Sequence, residues 1–487
     1  MSGIASTSPM LDQSRKVGAD RASAFFTCIA AVFIGLAIQN HDGEYTPMAM
    51  VMITIALIAA VLTILRPRRI ANAVSGRTLN FAIGIGLAIE VLALFRSWPI
   101  SVDQKRIGGA AHSQFLALLA GCALMIAVGF SNVKWARQWW FPALLILNLA
   151  TGFWMIHASP DPHIDVWVFQ QQGPQTLLEG HNPYDYHQAN FPDIYHSTRP
   201  GAQEVYGSGL SKDDHLQFGF PYPPLSLLLA TIGYAIAGDH RYAQAIAITL
   251  SGLFISYARS GRFPKLAAAL FLMTPRIWFV LGRGWTEPFV VMLLAATIFC
   301  GCRRLWKLLP IALGLFLASK QYLALAIPFT FLLLEEPFNF NSVDNWKKWG
   351  WLLIKSAIVA AIVSLPLALW NWHEFWFSTV SVQKYAPFRW DALSYLVMLG
   401  LHNSRYITWT WLVPVALIPA ILLALRKAPR SAAGFALSLG LVFLVFFAFN
   451  KQAFCNYYFF TIGAFCCALG ALPTDRAEER PAKTVAK

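Results

Sequence analysis

Apolar residues run through this chain in long, unbroken stretches. They cover residues near 22–39, 47–65, 79–95, 113–130 and 139–157. After a polar interval at 158–222 they resume near 223–237, 242–258, 264–281, 286–302, 308–334, 350–370, 406–425, 432–449 and 457–472. About 20 apolar residues in helical form cross the ~30 Å hydrocarbon core of a bilayer. The stretches are continuous rather than alternating, which excludes the strands of a membrane barrel. The pattern predicts an all-α, polytopic transmembrane helical bundle of 12–14 spans.

Composition sharpens this. Hydrophobic residues make up 57% of the 487 positions and charged residues 13%, against about 25% charged in soluble domains. That excludes a soluble globular protein, a disordered chain and a disulfide-stapled module. The net charge of +14 raises the question of nucleic acid, but the basic residues sit in short turns between apolar runs. Arg66, Arg68, Arg69 and Arg77 form one group, and Arg303, Arg304 and Lys307 another. This is a topology signature, and no nucleic-acid partner is expected. The seven cysteines lie in or beside apolar runs without zinc-site spacing, so they read as small core residues.

The positive-inside rule gives the orientation. Loop 66–77 carries four basic residues and no acid, and Lys134, Arg137, Arg426, Lys427 and Arg430 mark two further cytoplasmic loops. Segment 158–222 then lies outside, where its eight acidic and two basic residues fit. Loop 259–265, with Arg259, Arg262 and Lys265, falls on the wrong side if every segment crosses. One segment between 223 and 281 is therefore expected to be short or re-entrant, with a break at Pro275. Residues 1–21 read as a cytoplasmic tail followed by a retained first helix, 22–138 as a four-helix transmembrane extension, and 473–487 as a second cytoplasmic tail.

Several polar features interrupt the apolar pattern. Asp161 and Asp165 stand four residues apart at the start of the outer loop, flanking His163. Val166, Phe169, Gly173 and Leu177 then recur at helical spacing, which predicts an amphipathic helix at the outer surface. Asp165 at its start suits either a helix cap or a reactive carboxylate. Five histidines in the loop lack tight ligand spacing and read as solvated, so no metal or other cofactor is expected. Ala318-Ser319-Lys320-Gln321 splits the 308–334 run into halves too short to span. Either the chain turns back at Lys320, or one long helix carries it near its centre. Both place a lysine at membrane depth, where it needs a partner or a wet cavity.

Arg283-Gly284-Trp285-Thr286-Glu287-Pro288 and Asn450-Lys451-Gln452 are polar turns, each with a bland reading as a hydrated loop. Residues 370–395 are dense in aromatics, which suits an interfacial belt or the wall of a lipid groove. An outer carboxylate pair, a membrane-depth cation and such a groove together suit a reaction on a lipid-borne phosphate.

The runs Asp165-Val166-Trp167-Val168-Phe169, Gly180-His181-Asn182-Pro183-Tyr184, Tyr222-Pro223-Pro224-Leu225, Gly284-Trp285-Thr286-Glu287-Pro288 and Ser319-Lys320-Gln321 resemble the GT-C integral-membrane glycosyltransferases. Among them the chain is most similar to glycosyltransferase family 87, the polyprenol-phosphate-mannose-dependent α-mannosyltransferases. The resemblance spans roughly 139–472 and implies that this part is a GT-C-like catalytic module. It implies an inverting transfer of a sugar, mannose in that family, from a polyprenyl-phosphate donor to a lipid or glycan acceptor on the extracytoplasmic face of the cell membrane. By the family pattern Asp165 is the general base and Asp161 the nearby second acid. Lys320, Arg283 and Lys451 are candidates to hold the donor phosphate. His163, Tyr222, Glu287, Gln321 and Gln452 are pocket candidates. A transporter or flippase for lipid-linked saccharides would also want membrane-depth cations and a lipid groove, but not a placed carboxylate. A non-catalytic scaffold would use the acids only as caps.

Overall fold

The computed structural model describes residues 9–67, 70, 73–97, 110–131, 133–162, 164–187, 210–212 and 215–474. His163, His196, Arg68, Arg69, residues 1–8 and residues 475–487 lie outside the described residues, and the rest of the predicted N-terminal tail belongs to the first helix, which starts at Pro9. Helices dominate, and six are long and apolar enough to cross a membrane, which marks the chain as a membrane protein. The described strands form a single two-residue antiparallel ladder, Ser211–Lys212 with His215–Leu216.

The N-terminal part contains α1 (Pro9–Gln39), α2 (Pro47–Leu65), α3 (Gly76–Phe95), α4 (Ala111–Gly129) and α5 (Lys134–Ala158). Next come α6 (Asp165–Leu178), α7 (Pro224–Ala237), α8 (Arg241–Tyr257), α9 (Phe263–Leu272), α10 (Ile277–Gly282), α11 (Glu287–Cys302) and α12 (Leu309–Leu317). A 3₁₀ helix, Gln321–Leu333, precedes α13 (Val343–Ala368), α14 (Tyr395–His402), α15 (Leu412–Lys427), α16 (Ala432–Ala448) and α17 (Cys455–Ala471). Several helices start where the sequence supplies a cap. Thr46, Ser75, Ser342, Ser394 and Ser431 each accept the backbone N–H three residues ahead, satisfying a donor that the first turn leaves open.

α16 and α17 are apolar on all sides and buried along nearly their whole length, as expected of the centre of a bundle. α13 instead turns Ile354, Ile358 and Ile362 outward, as a lipid-facing helix does. α1 packs against α17, and one hydrophobic cluster runs through both the N-terminal helices and the rest of the chain. The predicted extension therefore shares its core with the module it precedes.

Contacts between distant residues define two ends of the bundle. At one, Arg21 Nε bonds the Thr474 carbonyl at 2.9 Å, Arg66 pairs with Asp20 at 3.1 Å, and Arg303 Nε bonds the Tyr257 carbonyl at 2.7 Å. At the other, Arg276 pairs with Asp42 at 2.6 Å, and the backbone of Tyr45 and Leu393 bonds Asp391 and Ala453 at 2.9 Å each. α1 and α17 are antiparallel between these ends, since Gly43 lies against Cys455. We call them the basic end and the loop end.

This geometry accounts for the loop that the charge pattern could not place. α7 leaves from and returns to the loop end. Its first turn bonds Ser319 through Ser226 at 2.9 Å, and its C-terminal Gly238 accepts from Gln171 of α6 at 2.6 Å. Loop 259–265 thus joins Arg137 at the basic end, on the wall of one cavity. The 264–281 run is two short helices broken at Pro275, where Arg276 takes a left-handed φ of 66°. At Lys320 the chain turns back. α12 starts just after Arg303, Lys320 is extended at the tip, and Leu333 returns to pack by Gly301.

Candidate functional site

The five sequence runs singled out above meet at the loop end. α6 buries Val166, Phe169 and Gly173, and Phe169 joins Tyr184, Phe218, Phe220 and Leu227 in a small second core. The Tyr184 hydroxyl donates to the Tyr222 carbonyl at 2.9 Å. Gly219 allows this approach, because a Cβ there would fall 2.2 Å from the Tyr184 carbonyl oxygen. The Gln321 amide donates to the carbonyls of Pro221 at 2.9 Å and Thr379 at 3.1 Å. The Tyr222-Pro223-Pro224 turn is thereby strapped onto the tip of the 309–333 hairpin.

Lys320 at that tip is only 6% exposed. Its Nζ lies 2.9 Å from Glu287 Oε1, donates to Thr286 Oγ1 at 2.5 Å, and sits 4.6 Å from the centre of the Tyr222 ring. The Lys320 charge thus has a carboxylate partner and an aromatic face. Glu287 is fully buried in the first turn of α11, where the helix dipole favours a negative charge. The Tyr322 ring meets Phe443, Phe447 and Tyr457 edge-on and Phe460 at a tilt, and its hydroxyl lies within electrostatic reach of Glu287. Losing one member of a buried pair is expensive because the other charge is stranded.

Asp165 is the first residue of α6 and is half-buried. Its Oδ1 accepts the Val166 N–H at 2.7 Å. Tyr457, at the start of α17, lies within electrostatic reach of Glu287, Asp165 and Arg389 together. Both carboxylates therefore act electrostatically on the same tyrosine. Trp167, two residues on, packs by Gly284, whose positive φ of 72° lets the chain turn closely under His240. A side chain at Gly284 would meet His240 Nε2 at 2.6 Å.

The other candidates divide. Asp161 is exposed on a bend, and His163 lies outside the described residues. Arg283 stacks 5.3 Å from the Phe279 ring centre. Lys451 Nζ donates to the Ala386 carbonyl at 2.5 Å, and the Gln452 amide to the Pro387 carbonyl at 3.1 Å. Both tie the α16–α17 turn to the aromatic segment. Beside them Arg389 pairs with Asp391 through two bonds of 2.9 and 2.6 Å and lies over Phe454. Among the described residues, no three His, Cys, Asp or Glu side chains gather as metal ligands would.

Sequence reasoning passed over Asp239-His240-Arg241. Arg241 is fully buried, bonds Asp239 through Nη2 at 2.6 Å and the Gly282 carbonyl at 3.0 Å, and lies over Trp167. Three consecutive polar or charged residues between two apolar helices were the available signal. His240 Nδ1 meets Gln171 Oε1 at 3.0 Å. Burial pushes the imidazole down to about 3, whereas an unfolded ring takes up its proton near 6.5. Between those values the unfolded chain binds the extra proton, so stability falls as the pH drops through the window, by at most ~1.4 kcal/mol per unit. We expect the melting temperature in detergent to fall from pH 7 to pH 5, and His240→Asn to lose less over that step. An equal fall in both proteins would remove His240 as the cause.

No protein-family model, curated protein or solved structure matches the chain.

Proposed function

We propose that this chain is a membrane glycosyltransferase of GT-C type that uses a polyprenyl-phosphate sugar as donor. The observation that supports it most is the convergence of five separate sequence runs, centred on Asp165, Tyr184, Tyr222, Glu287 and Lys320, at one end of the bundle. In this reading the acceptor hydroxyl gives its proton to Asp165 while its oxygen attacks the sugar C1. The C1–O bond to phosphate breaks with its electron pair, polyprenyl phosphate leaves, and the anomeric configuration inverts. Lys320 lies at the tip of the hairpin to meet the departing phosphate, and Glu287 and Thr286 hold its side chain in place. The exposed aromatics Trp370, Trp372, Trp376 and Tyr385 offer a wall for the lipid chain. The basic end faces the cytoplasm by the positive-inside rule, so transfer takes place on the extracytoplasmic face. Mannose is the sugar by resemblance.

A second reading is a transporter or flippase for lipid-linked saccharides. The re-entrant hairpin with a buried ion pair at its tip favours it, since such pairs also mark substrate pathways. Mass spectrometry of envelope glycolipids and glycans in a deletion strain tests the first reading. We expect a truncated glycan, restored by the wild-type gene and not by Asp165→Asn. Full restoration by Asp165→Asn would favour translocation over transfer.

A further inference from the structure

The basic end holds a cavity of about 500 Å³ that the proposed reaction does not use. Arg137, Arg259, Arg262, Lys265 and Arg303 line it, and no carboxylate does so among the described residues. The five cations come from three separate places: the start of α5, the α8–α9 turn with the first turn of α9, and the end of α11. Two are pinned in place, because Arg259 Nε bonds the Ala471 carbonyl at 2.5 Å and Arg303 Nε bonds the Tyr257 carbonyl at 2.7 Å. Arg262 lies 4.7 Å from the Phe130 ring centre, and its Nε and Nη2 are buried without a hydrogen-bond partner. Buried guanidinium donors ordinarily find acceptors, and clustered like charges repel. Burial and the Arg137 charge both hold the Arg262 pKa below the usual arginine range. Trp135 and Trp139 stand exposed beside the cavity, at 68% and 59%. Such aromatics sit at headgroup depth.

We propose that this cavity binds a phosphate-bearing anion at the membrane surface opposite the transfer site. Guanidinium groups grip phosphate oxygens through paired, charge-assisted hydrogen bonds, and an anion here would offset the mutual repulsion of the five cations. The phosphate can belong to a lipid headgroup or to a soluble compound.

Full-length protein is purified in neutral detergent and tested in two arms. One measures thermal unfolding with inorganic pyrophosphate. The other uses native mass spectrometry after exchange into nanodiscs of phosphatidylcholine, alone or with phosphatidylglycerol. A soluble ligand raises the melting temperature in the first arm, and a lipid ligand gives a retained adduct in the second. Arg137→Gln/Arg262→Gln weakens whichever is seen by about tenfold or more, while Lys347→Gln leaves it unchanged. Without anion the double variant is at least as thermally stable as the wild type, since two repelling charges are gone. Residues 475–487 carry Asp475, Glu478 and Glu479, so a chain ending at Thr474 is tested as well. Unaltered binding there supports the proposal. Binding in neither arm, binding that survives the double variant, or binding seen only after truncation overturns it.

Discussion

Lys320→Met should lower the stability of the folded protein by roughly 3–5 kcal/mol, the usual cost of stranding one member of a buried ion pair. The stranded group is Glu287, which is fully buried and whose carboxylate has Lys320 2.9 Å away. Glu287→Gln alone should also destabilise, because it leaves the ammonium beside a neutral amide. The double variant Lys320→Met/Glu287→Gln should recover most of the loss, since no uncompensated charge remains. Sugar transfer should stay low in all three, because each alters or removes the cation proposed to meet the phosphate. Thermal unfolding of the four proteins in one detergent gives the coupling directly. Single variants that melt with the wild type would show that the pair carries no stability. A double variant as active as the wild type would remove Lys320 from the proposed chemistry.

Asp165→Asn should reduce transfer by a factor on the order of 10²–10⁴, the scale of losing a general base. The substitution keeps size and an oxygen that can still accept the Val166 N–H now bonded at 2.7 Å. The helix start is therefore retained, and the melting temperature should move little. The loss should fall on kcat, with donor KM changed far less, because the role proposed for Asp165 is on the acceptor hydroxyl. Asp161→Asn should cost much less, as Asp161 is exposed on a bend. If Asp165→Asn lowers the melting temperature sharply and transfer only in proportion, the carboxylate is a helix-start residue and not a base.

The features legible in the sequence were those carried by local pattern. Uninterrupted apolar runs gave the bundle, the spacing of Val166, Phe169 and Gly173 gave α6, and Pro275 gave the break between α9 and α10. The polar split at Ser319-Lys320-Gln321 narrowed the choices to a turn-back or a long helix, and only the packing of Leu333 by Gly301 decides for the turn-back. Glu287 was visible as a pocket candidate, but its pairing with Lys320 joins two distant parts of the chain and has no local signal. The same holds for Gln321 with Pro221 and Thr379, and for Lys451 with Ala386. α14 was missed because its eight residues are too few to stand out as a membrane-spanning run. Glu90 was missed inside an apolar run. It is fully buried in α3 near Gly35, and neither carboxylate oxygen has a hydrogen-bond partner among the described residues. The charge pattern could not say which segment between 223 and 281 fails to cross, because the charge rule presumes that every apolar run does; the structure shows a short helix, α7, returning to the end it left.

The most direct test of the proposed activity follows both products of the reaction in one vessel. Purified protein is reconstituted into vesicles with mannosyl polyprenyl phosphate and an acceptor glycolipid extract, and mass spectrometry follows free polyprenyl phosphate and the extended acceptor over time. The account predicts that both appear together with the wild type and that neither appears above background with Asp165→Asn. Intact donor moved to the opposite leaflet, with no polyprenyl phosphate released, would contradict it.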